Sequence, residues 1–163
     1  MEKTINGLII VESPSKAKTL QKFLGDDYSI LASVGHIRDL PKNDLGVDID
    51  NNFKANYIAS PDKSKVIKEL KSKVKNAKTI YIATDPDREG EAIGWHLIEI
   101  LKPKVPIKRL VFHEITKSAI QESFEHTREI DSSLVGAQEA RRILDRLWGY
   151  LVSEKLWYNI KGG

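Results

Sequence analysis

Thr79-Ile80-Tyr81-Ile82-Ala83-Thr84-Asp85-Pro86-Asp87-Arg88-Glu89-Gly90-Glu91 runs from a short apolar stretch into a proline turn crowded with acids. The apolar part reads as a strand, the turn as its exit, and Glu89 to Leu101 as a helix stopped near Pro103. The same pattern opens the chain. Gly7-Leu8-Ile9-Ile10-Val11 is a continuous apolar run, as in a strand buried on both faces. Ser13 then supplies an N-cap and Pro14 a first helical turn, for a helix through Ala17, Leu20, Phe23 and Leu24 that ends at Gly25.

Between and beyond these units the alternation continues. Tyr28 to Val34 reads as a second strand and Ile107 to Phe112 as a fourth, with Thr116 capping a helix that reaches about Phe124. From Lys63 to Lys78, Val66, Ile67, Leu70 and Val74 recur at helical spacing, which leaves the lysines of that helix on its solvent side. Strands alternating with helices imply an α/β fold with a parallel-rich sheet flanked by helices on both faces. The polar stretch from Gly35 to about Pro61 is long for a loop and is expected to carry function or local strands. After Asp131 the character changes: Leu134 to Leu156 is helical in pattern, with Arg141, Arg142, Asp145 and Arg146 on polar positions. Trp148, Leu151, Val152, Leu156 and Trp157 form an apolar set that nothing before Gly162-Gly163 can cover, so a further segment is expected to pack there.

Composition narrows the class without choosing a function. The 163 residues, 40% hydrophobic and 30% charged, suffice for one domain with a core, and a net charge of +3 permits a local nucleic-acid patch. No stretch approaches the roughly 18 apolar residues of a membrane span, and Met1 to Asn6 does not resemble a secretory signal. Without cysteine, disulfides and thiolate zinc sites are excluded from the chain.

The chemistry lies in the acids. Glu12 follows the first strand and Asp85 to Glu91 follows the third; in a parallel sheet, ligands bind at the carboxyl ends of strands, so neighbouring strands would bring both to one crevice. Carboxylates converging from Asp85 and Asp87 repel one another unless a cation joins them. Hard oxygen ligands without His or Cys favour Mg²⁺, which takes one or two carboxylates plus waters and substrate phosphate. Neighbouring anions would raise the Glu12 carboxyl towards the range of a proton donor, whereas a bound cation would oppose that rise, so Glu12 is read as acid or ligand.

Three stretches go beyond spacing. Val11-Glu12-Ser13-Pro14-Ser15-Lys16-Ala17-Lys18, Ser33-Val34-Gly35-His36-Ile37-Arg38-Asp39-Leu40-Pro41 and Ala83 to Ile93 resemble the TOPRIM domain of bacterial type IA DNA topoisomerases. Phe112-His113-Glu114-Ile115-Thr116 and Gln138 to Arg146 continue the likeness in the same order, over nearly the whole chain. The resemblance implies a Rossmann-like TOPRIM unit over 4–128 and the truncated start of a helical DNA-groove domain over 129–163. It implies that Glu12 assists cleavage and rejoining, that Asp85, Asp87 and Glu89 form an acidic triad with the aspartates as main Mg²⁺ ligands, and that Lys16 meets a phosphate or the leaving oxygen. Arg88 either pairs a phosphate or holds Asp87 or Glu91, and His36 either orients the nucleophile region or is structural. Arg141, Arg142 and Asp145 resemble a helix of the single-strand groove; Arg141 and Asp145 also suit a surface ion pair at i, i+4.

The function so implied is relaxation of negatively supercoiled DNA through a transient 5′-phosphotyrosine, without ATP, by a cytoplasmic, nucleoid-associated monomer completed by the remaining domains of its polypeptide. The family nucleophile sits in a Tyr-x-Arg-Thr-Asp-type motif. Tyr28, Tyr57, Tyr81, Tyr150 and Tyr158 all lack an arginine two residues later, so the chain alone is expected not to cut DNA. Pro86 stands where the family varies. The alternatives are a TOPRIM nuclease or primase and a non-catalytic binding module. Met1, just before the first strand, is read against a parent such as reverse gyrase, whose extra domain would precede this one.

Overall fold

The computed structural model describes residues 6–153, 155 and 156. Its centre is a four-stranded, wholly parallel sheet in the order β2-β1-β7-β8, formed by β1 (Gly7–Val11), β2 (Tyr28–Ala32), β7 (Ile80–Ile82) and β8 (Ile107–Arg109). Helices α1 (Pro14–Leu24) and α4 (Lys117–Glu125) cover one face, and α2 (Ser64–Asn76) and α3 (Arg88–Leu101) the other. All five residues of β1 are buried because its alternate side chains enter two different cores. Leu8 and Ile10 pack with Ile67, Leu70, Ile93 and Leu97; Ile9 and Val11 pack with Leu20, Leu110 and Ile120. Each fully buried aliphatic side chain contributes roughly 1.5–3 kcal/mol, so this strand alone anchors both layers.

The helix ends follow from local chemistry. Ser13 accepts from the Lys16 N–H at 3.2 Å, Asp87 from the Gly90 N–H, and Thr116 from the Ala119 N–H, each satisfying a donor that the first turn leaves open. The polar stretch after β2 holds two short antiparallel ribbons: β3 (Arg38–Asp39) with β6 (Ile58–Ala59), and β4 (Val47–Asp48) with β5 (Lys54–Ala55). Buried Ile37, Leu40 and Val47 tie this excursion down.

One expectation is corrected and one gains detail. The strand expected to reach Phe112 ends at Arg109, where the backbone forms a bridge with Arg128 instead. The helix expected through Leu156 is present: α5 (Ser132–Leu147) passes into a π-helical turn at Trp148–Val152, and Ser153, Lys155 and Leu156 are α-helical again. Trp157 and Tyr158 lie outside the described residues.

His96 on α3 is buried, and its Nδ1 lies 3.1 Å from the Arg38 Nε. Because the guanidinium only donates, Nδ1 accepts and the ring is neutral. Burial first, then the Arg38 and His36 charges, push its pKa down to about 3. Between that value and the ordinary 6.5, the unfolded chain binds one proton more, so stability rises with pH there. The contribution is complete above about 6.5 and is lost as pH falls towards 3. Urea unfolding should therefore lose roughly 2 kcal/mol to this group between pH 6.5 and 5. A His96→Asn variant should lack that part of the slope; an unchanged slope would refute the assignment.

Candidate active site at the carboxyl edge of the sheet

β1 and β7 are neighbours, and the ladder extends past them through the Ala83 N–H, which donates to the Ile10 carbonyl at 2.9 Å. Glu12 and Asp85 therefore leave the sheet at the same edge, on either side of the point where the chain reverses its order of strand addition. The Lys16 ammonium sits between them, 3.3 Å from the Glu12 Oε1 and 3.0 Å from the Asp85 Oδ1. Ser13 makes this possible by starting α1 so that Lys16 falls in its first turn. The lysine is only 8% exposed, and its Nζ also lies 5.1 Å from the centre of the Phe112 ring. Burial raises the Glu12 carboxyl above its ordinary pKa, with Asp85 adding to the rise while a backbone hydrogen bond and Lys16 oppose it. A cleft of about 400 Å³ opens here, with Ser15, Thr19, His113 and Glu114 also in its walls.

The other acids are placed differently. Asp87 spends one oxygen capping α3, at 2.7 Å from the Gly90 N–H. Glu89 is exposed, with its Oε1 3.5 Å from the His36 Nε2. Arg88 is exposed at the start of α3. Gly90 is required by contact: a Cβ there would lie 2.0 Å from the Asp85 carbonyl oxygen. Among the described residues no three His, Cys, Asp or Glu side chains stand close enough together to hold a metal ion. Mg²⁺ does not require three, since one or two carboxylates with waters suffice. Glu12 and Asp85 already flank a positive charge, so an all-oxygen pair of this kind fits such a cation, with Asp87 close by in sequence.

A buried network that sequence reasoning did not find holds this edge in place. Arg109 is 1% exposed; its Nη1 donates to the Ile82, Thr84 and Leu110 carbonyls and its Nη2 to the Asp85 carbonyl at 2.7 Å. Its Nε donates to Glu91 Oε2 at 3.0 Å, and Glu91 also accepts two bonds from Arg128 and one from the Asp131 N–H. Burial alone would raise the Glu91 carboxyl, but Arg128, the Asp131 N–H and Arg109 together hold it below the usual range. The last acid of the Asp85–Glu91 run thus faces inward and is structural. The only signal in the sequence was its place among the apolar positions of α3, beside Ala92 and Ile93.

On α5, Arg142 grips Asp39 with two bonds of 2.9 Å, which pins the helix to the ribbon and lowers the Asp39 carboxyl against the effect of burial. Arg146 donates to the Pro41, Asp44 and Leu45 carbonyls. Arg141 and Asp145 are exposed and 3.9 Å apart. Leu144, Trp148, Leu151 and Leu156 form an exposed apolar row, Trp148 at 69%.

Residues 7–115 match the model of the Toprim domain family. The fold is similar to that of full-length topoisomerase I from Thermotoga maritima, with a TM-score of 0.86 and 47% sequence identity. The match covers 92% of this chain and 26% of that protein, so the chain spans about a quarter of its relative's length.

Proposed function

Since the chain belongs to the Toprim family, in its bacterial type IA topoisomerase branch, we propose that it is the acid-bearing part of an ATP-independent enzyme that relaxes negatively supercoiled DNA. The observation that carries this reading is the convergence of Glu12 and Asp85 on the Lys16 ammonium at the edge where strand order reverses. A tyrosine from another part of the polypeptide gives up its phenol proton to solvent and attacks a phosphorus of one DNA strand. The bond from phosphorus to the 3′ oxygen breaks, a 5′-phosphotyrosine forms, and the departing oxygen takes a proton. Glu12, its carboxyl raised by burial, is the donor, and Lys16 steadies the phosphate or the leaving oxygen. Asp85 and Asp87, with Glu12 or Glu89, would hold Mg²⁺, which when bound offsets the repulsion between carboxylates and phosphodiester. Arg88 and His36 border the site, one at the start of α3 and one against Glu89. Rejoining is the reverse reaction, so the phosphodiester energy is kept and no ATP is consumed.

The division at about 128 is part of this proposal, with Arg141, Arg142 and Asp145 on the single-strand side. None of the described tyrosines has an arginine two residues later. Tyr57 is half-buried and hydrogen-bonded to Glu139, and its phenol is pushed up to about 12, chiefly by burial. No helix among the described residues is long and apolar enough to cross a membrane.

Mixing this chain with a separately expressed, tyrosine-bearing remainder of such a topoisomerase should restore Mg²⁺-dependent relaxation of supercoiled plasmid, while neither part acts alone. Primer synthesis or DNA hydrolysis by this chain alone would instead favour a primase or nuclease. If the two parts form a complex on a sizing column but no relaxation appears, the proposal fails.

A further inference from the structure

On the side of α5 away from Arg141 and Asp145 lies a cleft that the proposed cleavage chemistry does not use. At 100° per residue, Gly136, Ala140 and Ile143 share one flank of the helix, and Gln138, Arg141 and Asp145 the other. The first flank, together with α3 and the β5 ribbon, encloses about 650 Å³. Gly136 and Ala140, one turn apart, provide the room. Against the small helix wall stand three aromatic rings, Phe53, Tyr57 and Trp95. The Arg38 guanidinium lies 5.3 Å from the Tyr57 ring centre and 5.0 Å from that of Trp95, anchored by its Nε on His96.

Phe53 carries the second independent observation. It is 47% exposed and sits at φ 57, directly after Asn52 at φ 52. A bulky side chain in the left-handed region costs free energy, and such strain persists where a rigid frame imposes it, often at ligand clamps. Here the strain sets an exposed aromatic ring in the wall of an open cleft already lined by two others.

The charges select the occupant. Arg38 already supplies the cation beside Tyr57 and Trp95, and its Nη1 lies 3.8 Å from Glu99, so the cation-binding capacity of those rings is taken up within the protein. Glu99 and Glu139 line the same space, which disfavours a phosphate inside it. A flat, uncharged heteroaromatic ring with donors and acceptors on its edge satisfies both conditions. It stacks on aromatic faces and pairs its edge with Arg38, Asn56 or Glu139, while exposed Lys54 is placed for a flanking phosphate. A smaller pocket of about 90 Å³ shares Arg38, Tyr57 and Glu139 with this cleft and extends to His36, which touches Glu89.

From this geometry we infer that the cleft receives an unstacked base of single-stranded DNA, a second strand contact on the flank of α5 opposite Arg141. The inference rests on the DNA reading above and adds a site to it. The test uses a fluorescein-labelled oligothymidylate carrying one 5-iodouracil. Irradiation of the complex should place adducts on Phe53, Tyr57 or Trp95. Ala140→Trp, at an exposed helix position, fills the cleft and should weaken binding roughly tenfold by anisotropy. Ala137→Trp, on another side of the same helix, should not. Adducts confined to other residues, with equal affinity for wild type and Ala140→Trp, overturn the cleft while leaving the DNA reading intact. Failure of the wild-type chain to bind the oligonucleotide overturns both.

Discussion

Replacing Asp85 and Asp87 together by asparagine should abolish the stabilisation of this chain by Mg²⁺. At a Mg²⁺ concentration 100 times its dissociation constant, a metal that binds only the folded state adds about 2.7 kcal/mol. In a chain of this size that corresponds to a rise of roughly 5–10 °C in Tm. The substitution is chosen to leave the fold alone. Asparagine caps helices about as well as aspartate, so the bond from the Gly90 N–H survives at position 87. Asp85 is exposed, so its change costs little beyond the contact with Lys16. Calorimetry with and without Mg²⁺ reads the result directly: a Tm rise in wild type and none in the double variant. Equal rises in the two proteins would remove these aspartates from the metal site and favour a binding module whose acids do other work.

The parts of this site that the sequence discloses are those fixed by neighbours along the chain. β1 was legible because five apolar residues in succession leave no solvent face, and α1 because Ser13 and Pro14 mark its start and Gly25 its end. The shared edge of Glu12 and Asp85 followed from two strand exits and the habit of parallel sheets. The ribbons at Arg38–Asp39 and Val47–Asp48 were foreseen only as local strands, because pairs of two residues are too short to show a period. Contacts between distant residues left no trace. Arg142 and Asp39 lie 103 positions apart, and the sequence offered Arg142 only as a groove residue, whereas the Arg141–Asp145 pair, four positions apart, was legible. The resemblance assigns Lys16 to a phosphate or the leaving oxygen; that it stands between Glu12 and Asp85 depends on where α1 sets it against the exit of β7. The π-helical turn at Trp148–Val152 has no evident cause in the residues around it.

Glu91 shows most sharply how a surface motif can hide a structural residue, and its replacement should cost the most stability. The carboxylate is 0% exposed and receives bonds from Arg109, Arg128 and the Asp131 N–H. Glu91→Leu would leave the Arg109 guanidinium buried without its counter-charge, which typically costs about 3–5 kcal/mol. Thermal unfolding should fall by about 10 °C or more. Adding Arg109→Met removes the orphaned charge, and a well-packed apolar pair often matches a buried ion pair in stability. The double variant should therefore regain much of the loss, giving a strongly non-additive cycle. It should not regain the metal response in full. Arg109 also clamps the carbonyls of Ile82, Thr84 and Asp85, so without it the loop that presents the Asp85 carboxylate is released. Stability recovered and Mg²⁺ response weakened in one protein would separate the two duties of this arginine. A Glu91→Leu chain within 1 kcal/mol of wild type, where about 3–5 is expected, would show the network to be incidental.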